Sequence, residues 1–152
     1  MSKQIRLDRV DREILFQLQR DGRLSNVELA RRVGLTPPPC LRRVKRLEDA
    51  GVIAGYQAVI DPAAVGRALE VFVDVDINAN DLKTVQEFET TTAGYDEVVE
   101  FRRMFGHPDY VLRVAVADHA AYEAFLTGKL IGLPGVLHVT SHLTMKTIKA
   151  DG

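Results

Sequence analysis

A single cysteine, Cys40, stands in 152 residues. No internal disulfide can form, and a reducing cytoplasmic setting is expected. No apolar run approaches the roughly 20 residues needed to span a bilayer, so no membrane partner is expected. The opening stretch MSKQIRLDRVD lacks the apolar core of a secretory signal. Metal spacing is missing too: His138 and His142 share a strand face but lie roughly 13 Å apart at about 3.3 Å per residue, too far for one ion. Ser25 and Ser141 have no base nearby in sequence, and no glycine-rich phosphate loop is present. Cys40 falls on an apolar helix face and reads as core. No catalytic residue, metal or cofactor is therefore expected.

Net charge is also nearly absent, at −1, but this conceals a division. Residues 1–60 carry 12 Lys+Arg against 7 Asp+Glu, whereas residues 61–152 carry 8 against 14. A basic half suits nucleic acid and an acidic half would be repelled by it, so two modules with different partners are expected. The boundaries read as a DNA-binding domain over 1–60, a linker over 61–68 and a second domain over 69–152. A hydrophobic fraction of 46% and a charged fraction of 27% suit a globular chain.

What is present centres on Ser25–Ala50, two helices joined by a tight turn. Ser25 and Glu28 have capping-box spacing. Ala30 allows close helix approach, and Gly34 supplies a left-handed turn without Cβ strain. Thr36 opens the second helix with proline at its first position. At about 100° per residue, Cys40, Leu41, Val44 and Leu47 share one side, and Arg42, Arg43, Lys45 and Arg46 cover the other. Four cations on one face suit phosphate oxygens and guanine edges, the layout of a recognition helix in a helix-turn-helix. The plainer alternative is a solvated cationic face. Ahead of this pair, Leu7–Arg20 reads as a helix with Asp8 as N-cap and Val10, Ile14, Leu15 and Leu18 inward. Residues 52–60 suggest a short strand or hairpin, a wing, with hinge packing as the role of Tyr56.

The remainder reads β-α-β-β-α-β. Leu69, Val71, Val73, Val75 and Ile77 line one strand face. Asp81–Thr92 is a helix with Leu82, Val85 and Phe88 on one side. Strands follow over 98–104 and 110–116, then a helix over 118–130. The last strand covers 135–148, with Leu137, Val139, Ser141, Leu143 and Met145 together. This is the ferredoxin-like order, giving an α+β chain overall. The sheet face away from the helices is expected to carry Phe72, Val99, Phe101, Val111 and Tyr110, too apolar to stay wet, and to pack on a second copy.

The run from Leu7 to Tyr56, together with Gly106-His107-Pro108-Asp109-Tyr110 and Leu133-Pro134-Gly135-Val136, resembles the leucine-responsive regulatory protein/AsnC family of transcription factors, closest to its leucine-responsive branch. The resemblance covers about Leu7 to Lys149. It implies a winged helix-turn-helix on a RAM/ACT-like sensing domain. It also implies homodimers that assemble into tetramers or octamers on double-stranded DNA, and an amino-acid effector such as leucine. Carried over, the DNA contacts are Asn26, Thr36, Pro37, Pro38, Arg42, Arg43, Lys45 and Arg46. The effector contacts are Gly106, Asp109 and Tyr110, with Arg103, Met104, Asp118 and His119 beside them. Asp109 would pair with the effector ammonium and N–H groups near Gly106 with its carboxylate; the plainer role of Gly106 and Asp109 is to shape a turn.

Two departures from the family stand out. His107 occupies a position where acidic or polar residues are common, and histidine titrates near neutral pH. Pro37-Pro38-Pro39 removes the N–H groups a Thr36 cap would bind, so an irregular first turn is expected, with Thr36 free for DNA and Arg42 and Arg43 as the main anchors. The rival readings are a nucleoid-type DNA-wrapping protein without ligand and an enzyme resembling sirohaem decarboxylases.

Overall fold

The computed structural model describes residues 5–78 and 81–149; the outer ends of the expected domains, 1–4 and 150–152, lie outside the described residues. The elements are α1 (Arg9–Arg20), α2 (Asn26–Val33), α3 (Pro37–Asp49), a 3-10 turn (Ala63–Val65), β1 (Leu69–Ile77), α4 (Leu82–Ala93), β2 (Val98–Arg103), β3 (Tyr110–Val116), α5 (His119–Phe125) and β4 (Val136–Leu143). They divide into two units, Met1–Ala58 and Val59–Gly152.

In the first unit, capping chemistry sets the helix starts. Asp8 accepts from the Asp11 N–H at 2.8 Å and Asp11 accepts from the Asp8 N–H at 3.1 Å, so a complete capping box opens α1. The box expected at α2 is only half made. The Ser25 hydroxyl accepts from the Glu28 N–H at 3.2 Å, but the Glu28 carboxylate turns to Arg31 at 2.7 Å and Arg32 at 2.9 Å. Two guanidinium groups at i+3 and i+4 are stronger partners for a carboxylate than one backbone N–H. Gly34 ends α2 at φ 71°, with its N–H bonded to the Ala30 carbonyl, a backbone state that costs glycine nothing.

Helix α3 is regular from Pro37 onward, which corrects the expected irregular turn: a proline φ is already helical. Thr36 is the N-cap and its hydroxyl caps nothing, as expected once prolines replace the donors. Ile14, Leu29, Ala30, Cys40 and Leu47 form the buried centre, with Val10, Leu18 and Val44 packed around it. Leu41 does not join them and is 56% exposed; one helical position from Cys40 is a rotation of about 100°, enough to carry it off the packed face. No strand forms between Gly51 and Ala68, so the expected wing is not a hairpin within this chain. Tyr56 instead donates to the Glu48 carboxylate at 2.9 Å, which fits hinge packing.

The second unit is a four-stranded antiparallel sheet ordered β2-β3-β1-β4. Val71, Val73, Val75, Leu112 and Val114 meet Phe88, Tyr122, Phe125 and Leu130 in its core. Asp81 and Asp118 cap α4 and α5. Helix α5 is shorter than expected, and Leu126–Leu130 continues it as a π-helical turn. Leu82 is exposed, not inward, because it is the first residue beyond the Asp81 cap.

Two bulges correct the expected faces. Between Val98 and Glu100 the register with β3 shifts, leaving Val99 outward and turning Phe101 into the aromatic cluster with Phe88 and Tyr110. Phe101 therefore lies on the helix-covered face, and Tyr110 lies there too, opposite the buried Val75 in the unbroken register of β3 with β1. The open face carries Phe72 and Val99 beside an ionic row in which Arg113 bonds Glu70 at 3.0 Å and Glu100 at 3.2 Å. The second shift, between Asp76 and Ile77 on the β4 side, exposes Leu137. β4 ends at Leu143, so Met145 is exposed too. An extra residue flips every position beyond it to the other side, and strict alternation cannot foresee that. Among the described residues no helix is long and apolar enough to cross a membrane.

Candidate functional site

In the first unit the cations expected on one face of α3 divide into two classes. Arg42 and Lys45 are exposed and make no ion pair among the described residues. Arg43 reaches back to α1, donating to Asp8 at 2.7 Å and Asp11 at 2.8 Å, and its side chain is only 29% exposed. Arg46 donates to the other Asp11 oxygen at 2.5 Å and remains 49% exposed. Asp11 itself is fully buried, so its charge is compensated by two guanidinium groups and the Asp8 N–H. Asp8 is held below the ordinary carboxylate range by the Asp11 N–H first and by Arg43 second.

Asn26 holds the two helices in place. Its amide donates to the Pro37 carbonyl at 2.8 Å, tying the starts of α2 and α3 together. Thr36, Pro37 and Pro38 are exposed at the mouth of α3. Read from sequence, Asp8 is the N-cap and Asp11 a first-turn acid that suits the helix dipole. Their i, i+3 spacing, which matches that of Arg43 and Arg46, was the available signal for more.

In the second unit the seven expected effector contacts separate into three places. Gly106, at φ 93°, lies within the turn between β2 and β3. There Asp109 accepts from the Ile77 N–H at 2.9 Å and its own N–H donates to Asp76 at 3.1 Å. Met104 is exposed and closes the turn by donating its N–H to the Asp109 carbonyl at 2.8 Å. His107 lies 3.2 Å from the same Asp76 oxygen. That contact raises the His107 pKa and holds Asp76 low. Asp76, His107 and Asp109 thus bring potential ligand atoms within 4.8 Å of one another, a grouping that sequence spacing did not reveal.

Tyr110 points elsewhere. Its hydroxyl donates to Glu89 at 2.8 Å, and Arg103 approaches the same oxygen at 3.3 Å. These residues, with Phe101 and Ala93, line an open groove of about 420 Å³ between α4 and β2. Burial, then Glu89, pushes the Tyr110 hydroxyl up to about 12, so it stays a donor. Asp118 accepts from the Ala121 N–H at 2.8 Å and is the cap of α5, and His119 is that helix's first residue. No hydrogen bond among the described residues joins them to the turn.

Comparison with known proteins agrees with both units. Residues 7–54 match the winged helix-turn-helix DNA-binding family, and residues 70–152 match the Lrp/AsnC ligand binding domain. The leucine-responsive regulatory protein of Escherichia coli K12 is 43% identical over 143 residues, covering 94% of this chain and 87% of that protein. Among solved structures, a Neisseria meningitidis transcriptional regulator in complex with L-Met has a TM-score of 0.91 at 37% identity, covering 96% of this chain and 94% of that one. An AsnC family transcriptional regulator from Agrobacterium tumefaciens has a TM-score of 0.88 at 39% identity, covering 95% and 94%. These relatives are regulatory proteins and not enzymes, which sets the decarboxylase reading aside. The chain belongs to the Lrp/AsnC family of DNA-binding transcriptional regulators, with a helix-turn-helix head and an amino-acid-binding domain.

Proposed function

We propose that this regulator holds double-stranded DNA with Thr36, Arg42, Lys45 and the exposed edge of Arg46. An amino acid at the Gly106–Asp109 turn then alters its assembly or its DNA affinity. The observation that carries the DNA part is the pair of cations without an ion-pair partner among the described residues, Arg42 and Lys45, beside a Thr36 hydroxyl with no cap to make. Phosphate oxygens supply the missing partners, and exposed arginine can also read guanine. Pro37 and Pro38 shape the entry, and Asn26 holds it in place.

For the effector, Asp109 is a half-buried carboxylate in a turn where Gly106, with nothing near its Cβ position, leaves the backbone open. That suits an ammonium beside a carboxylate. The N. meningitidis relative binds L-Met and the E. coli relative is named for leucine, so the effector class is an amino acid with an apolar side chain. Homodimers assembling into tetramers or octamers, in the cytoplasm, complete the reading. A thermal-shift panel of the twenty amino acids tests it. A ligand that binds only the folded state at about 100 times its Kd adds roughly 2.7 kcal/mol. One clear riser among apolar amino acids is expected, and a flat panel would favour a ligand-free DNA organiser.

A further inference from the structure

We infer that Asp8 and Asp11 are specificity-determining residues of the DNA-reading head: they withhold Arg43 from phosphate and leave Arg42 and Lys45 to make the contacts. The inference rests on the assignment of α3 as the DNA-facing helix.

Its basis is the geometry of the clasp. Arg43 is bonded to two carboxylates at once, at 2.7 and 2.8 Å. Asp11, the second of these, is fully buried and already serves Arg46 with its other oxygen at 2.5 Å. A buried carboxylate cannot surrender both its cations without leaving an uncompensated charge, so Asp11 keeps Arg46 and can yield Arg43 once Asp8 no longer holds it. Asp8 differs. Its side chain is 52% exposed, so its hold on Arg43 is the one that solvent and phosphate can contest.

The consequence lies in the balance between sequence-independent and sequence-dependent binding. Each cation that reaches a phosphate adds to attraction for any duplex, with a salt slope of about 0.9 per contact, or about threefold in affinity between 50 and 200 mM salt. A cation held internally adds nothing to that background. Keeping Arg43 on Asp8 and Asp11 therefore lowers the affinity for random DNA and leaves the discrimination to residues that touch bases. Asp8 is in this sense a positioning residue acting through Arg43.

The test is the salt dependence of binding to a random-sequence duplex by the full-length protein. Arg43→Gln is expected to leave the slope unchanged, while Arg42→Gln lowers its magnitude by about 0.9. Asp8→Asn keeps the helix cap, since asparagine caps as well as aspartate, but loses the charge. It is expected to raise the magnitude of the slope by up to about 0.9, so that its gain in random-DNA affinity over wild type is about threefold larger at 50 mM salt than at 200 mM. Asp8→Asn combined with Arg43→Gln returns the slope to wild type. A site selected from a random pool by the wild-type protein should be discriminated less well by Asp8→Asn. An Arg43→Gln slope that falls as far as that of Arg42→Gln overturns the inference, as does an Asp8→Asn slope equal to wild type. If Arg42→Gln and Lys45→Gln both leave the slope unchanged, the DNA-facing assignment of α3 is what has failed, and the clasp falls with it.

Discussion

The head and the second unit deploy their charges differently. In the head, one fully buried carboxylate, Asp11, gathers two arginines from another helix and so joins α1 to α3. In the second unit the charged contacts lie outside the core: the ion pairs of Arg113 with Glu70 and Glu100, and the hydrogen bond between His142 and Asp74, sit partly exposed on the sheet's open face. Its buried layer is aliphatic and aromatic, with Thr92 as its buried polar residue. The difference follows from size. Three short helices enclose a small apolar centre and use a compensated charge to fix their packing, whereas a sheet covered by helices has enough apolar area to do without one.

Five outcomes bear on this contrast, in descending size. The largest is expected in the second unit, where Phe88→Ala removes the ring that Phe101 and Tyr110 pack against. A loss of roughly 3–5 kcal/mol is expected in urea unfolding; a loss below about 1 kcal/mol would show that apolar packing does not carry this unit. Next is Asp11→Ala, which strands Arg46 and leaves Arg43 with Asp8 alone, and should cost roughly 2–3 kcal/mol, discounted because both arginines are partly exposed. Hydrogen exchange should locate that loss in α1 and α3, and protection unchanged there would make the clasp ornamental.

Asp109→Asn keeps an acceptor for the Ile77 N–H but loses the charge. It should weaken effector binding about tenfold, or about 1.4 kcal/mol, with little change in melting temperature. Unaltered binding by calorimetry would move the effector away from the turn. Smaller again is the contrast between two caps. Ser25→Ala should cost about 1 kcal/mol. Thr36→Ala should cost nothing in stability yet weaken DNA binding, because that hydroxyl caps nothing; unchanged DNA affinity would remove Thr36 from the contact set.

The smallest effect belongs to His107, whose side chain is largely exposed. Its pKa is raised above the ordinary 6.5, first by the hydrogen bond to Asp76. The contact is therefore fully present below the unfolded value and is lost as pH rises through the raised folded value. An NMR titration of His107 should show the upward shift, and Asp76→Asn should abolish it. A midpoint at or below 6.5 in the wild type would contradict the pairing.

Legibility from sequence varied with the range of the forces involved. Asp8, Ser25, Asp81 and Asp118 sit at helix starts where composition places them, because a cap is decided within three or four residues. The element order of the second unit followed from the alternation of β1 and from the short joint between β2 and β3. What escaped was the partition of α3: a helical wheel sorts cations from apolar residues but cannot tell a cation facing solvent from one facing a carboxylate 32 residues away in the chain. The bulges at Val99 and Leu137 escaped for a related reason, since an unpaired residue shows only when the neighbouring strand is in place. Gly106 and Asp109 form a turn where their composition puts one. Tyr110, adjacent in sequence, was sent to the other side by the two-residue period of the strand.

The two-module division, the helix-turn-helix and the β-α-β-β-α-β order could be read along the chain, because each is written in local periodicity, capping and charge, and the family was legible as a resemblance in the stretches Leu7–Tyr56, Gly106–Tyr110 and Leu133–Val136. Which arginines of α3 are held in ion pairs, which face Phe101 takes, and the joining of Asp76 to His107 and Asp109 were settled by the fold alone. The arginine and Asp76 outcomes depend on hydrogen bonds between residues roughly thirty positions apart, and the face of Phe101 on its pairing with β3, partners that only the folded chain brings within reach.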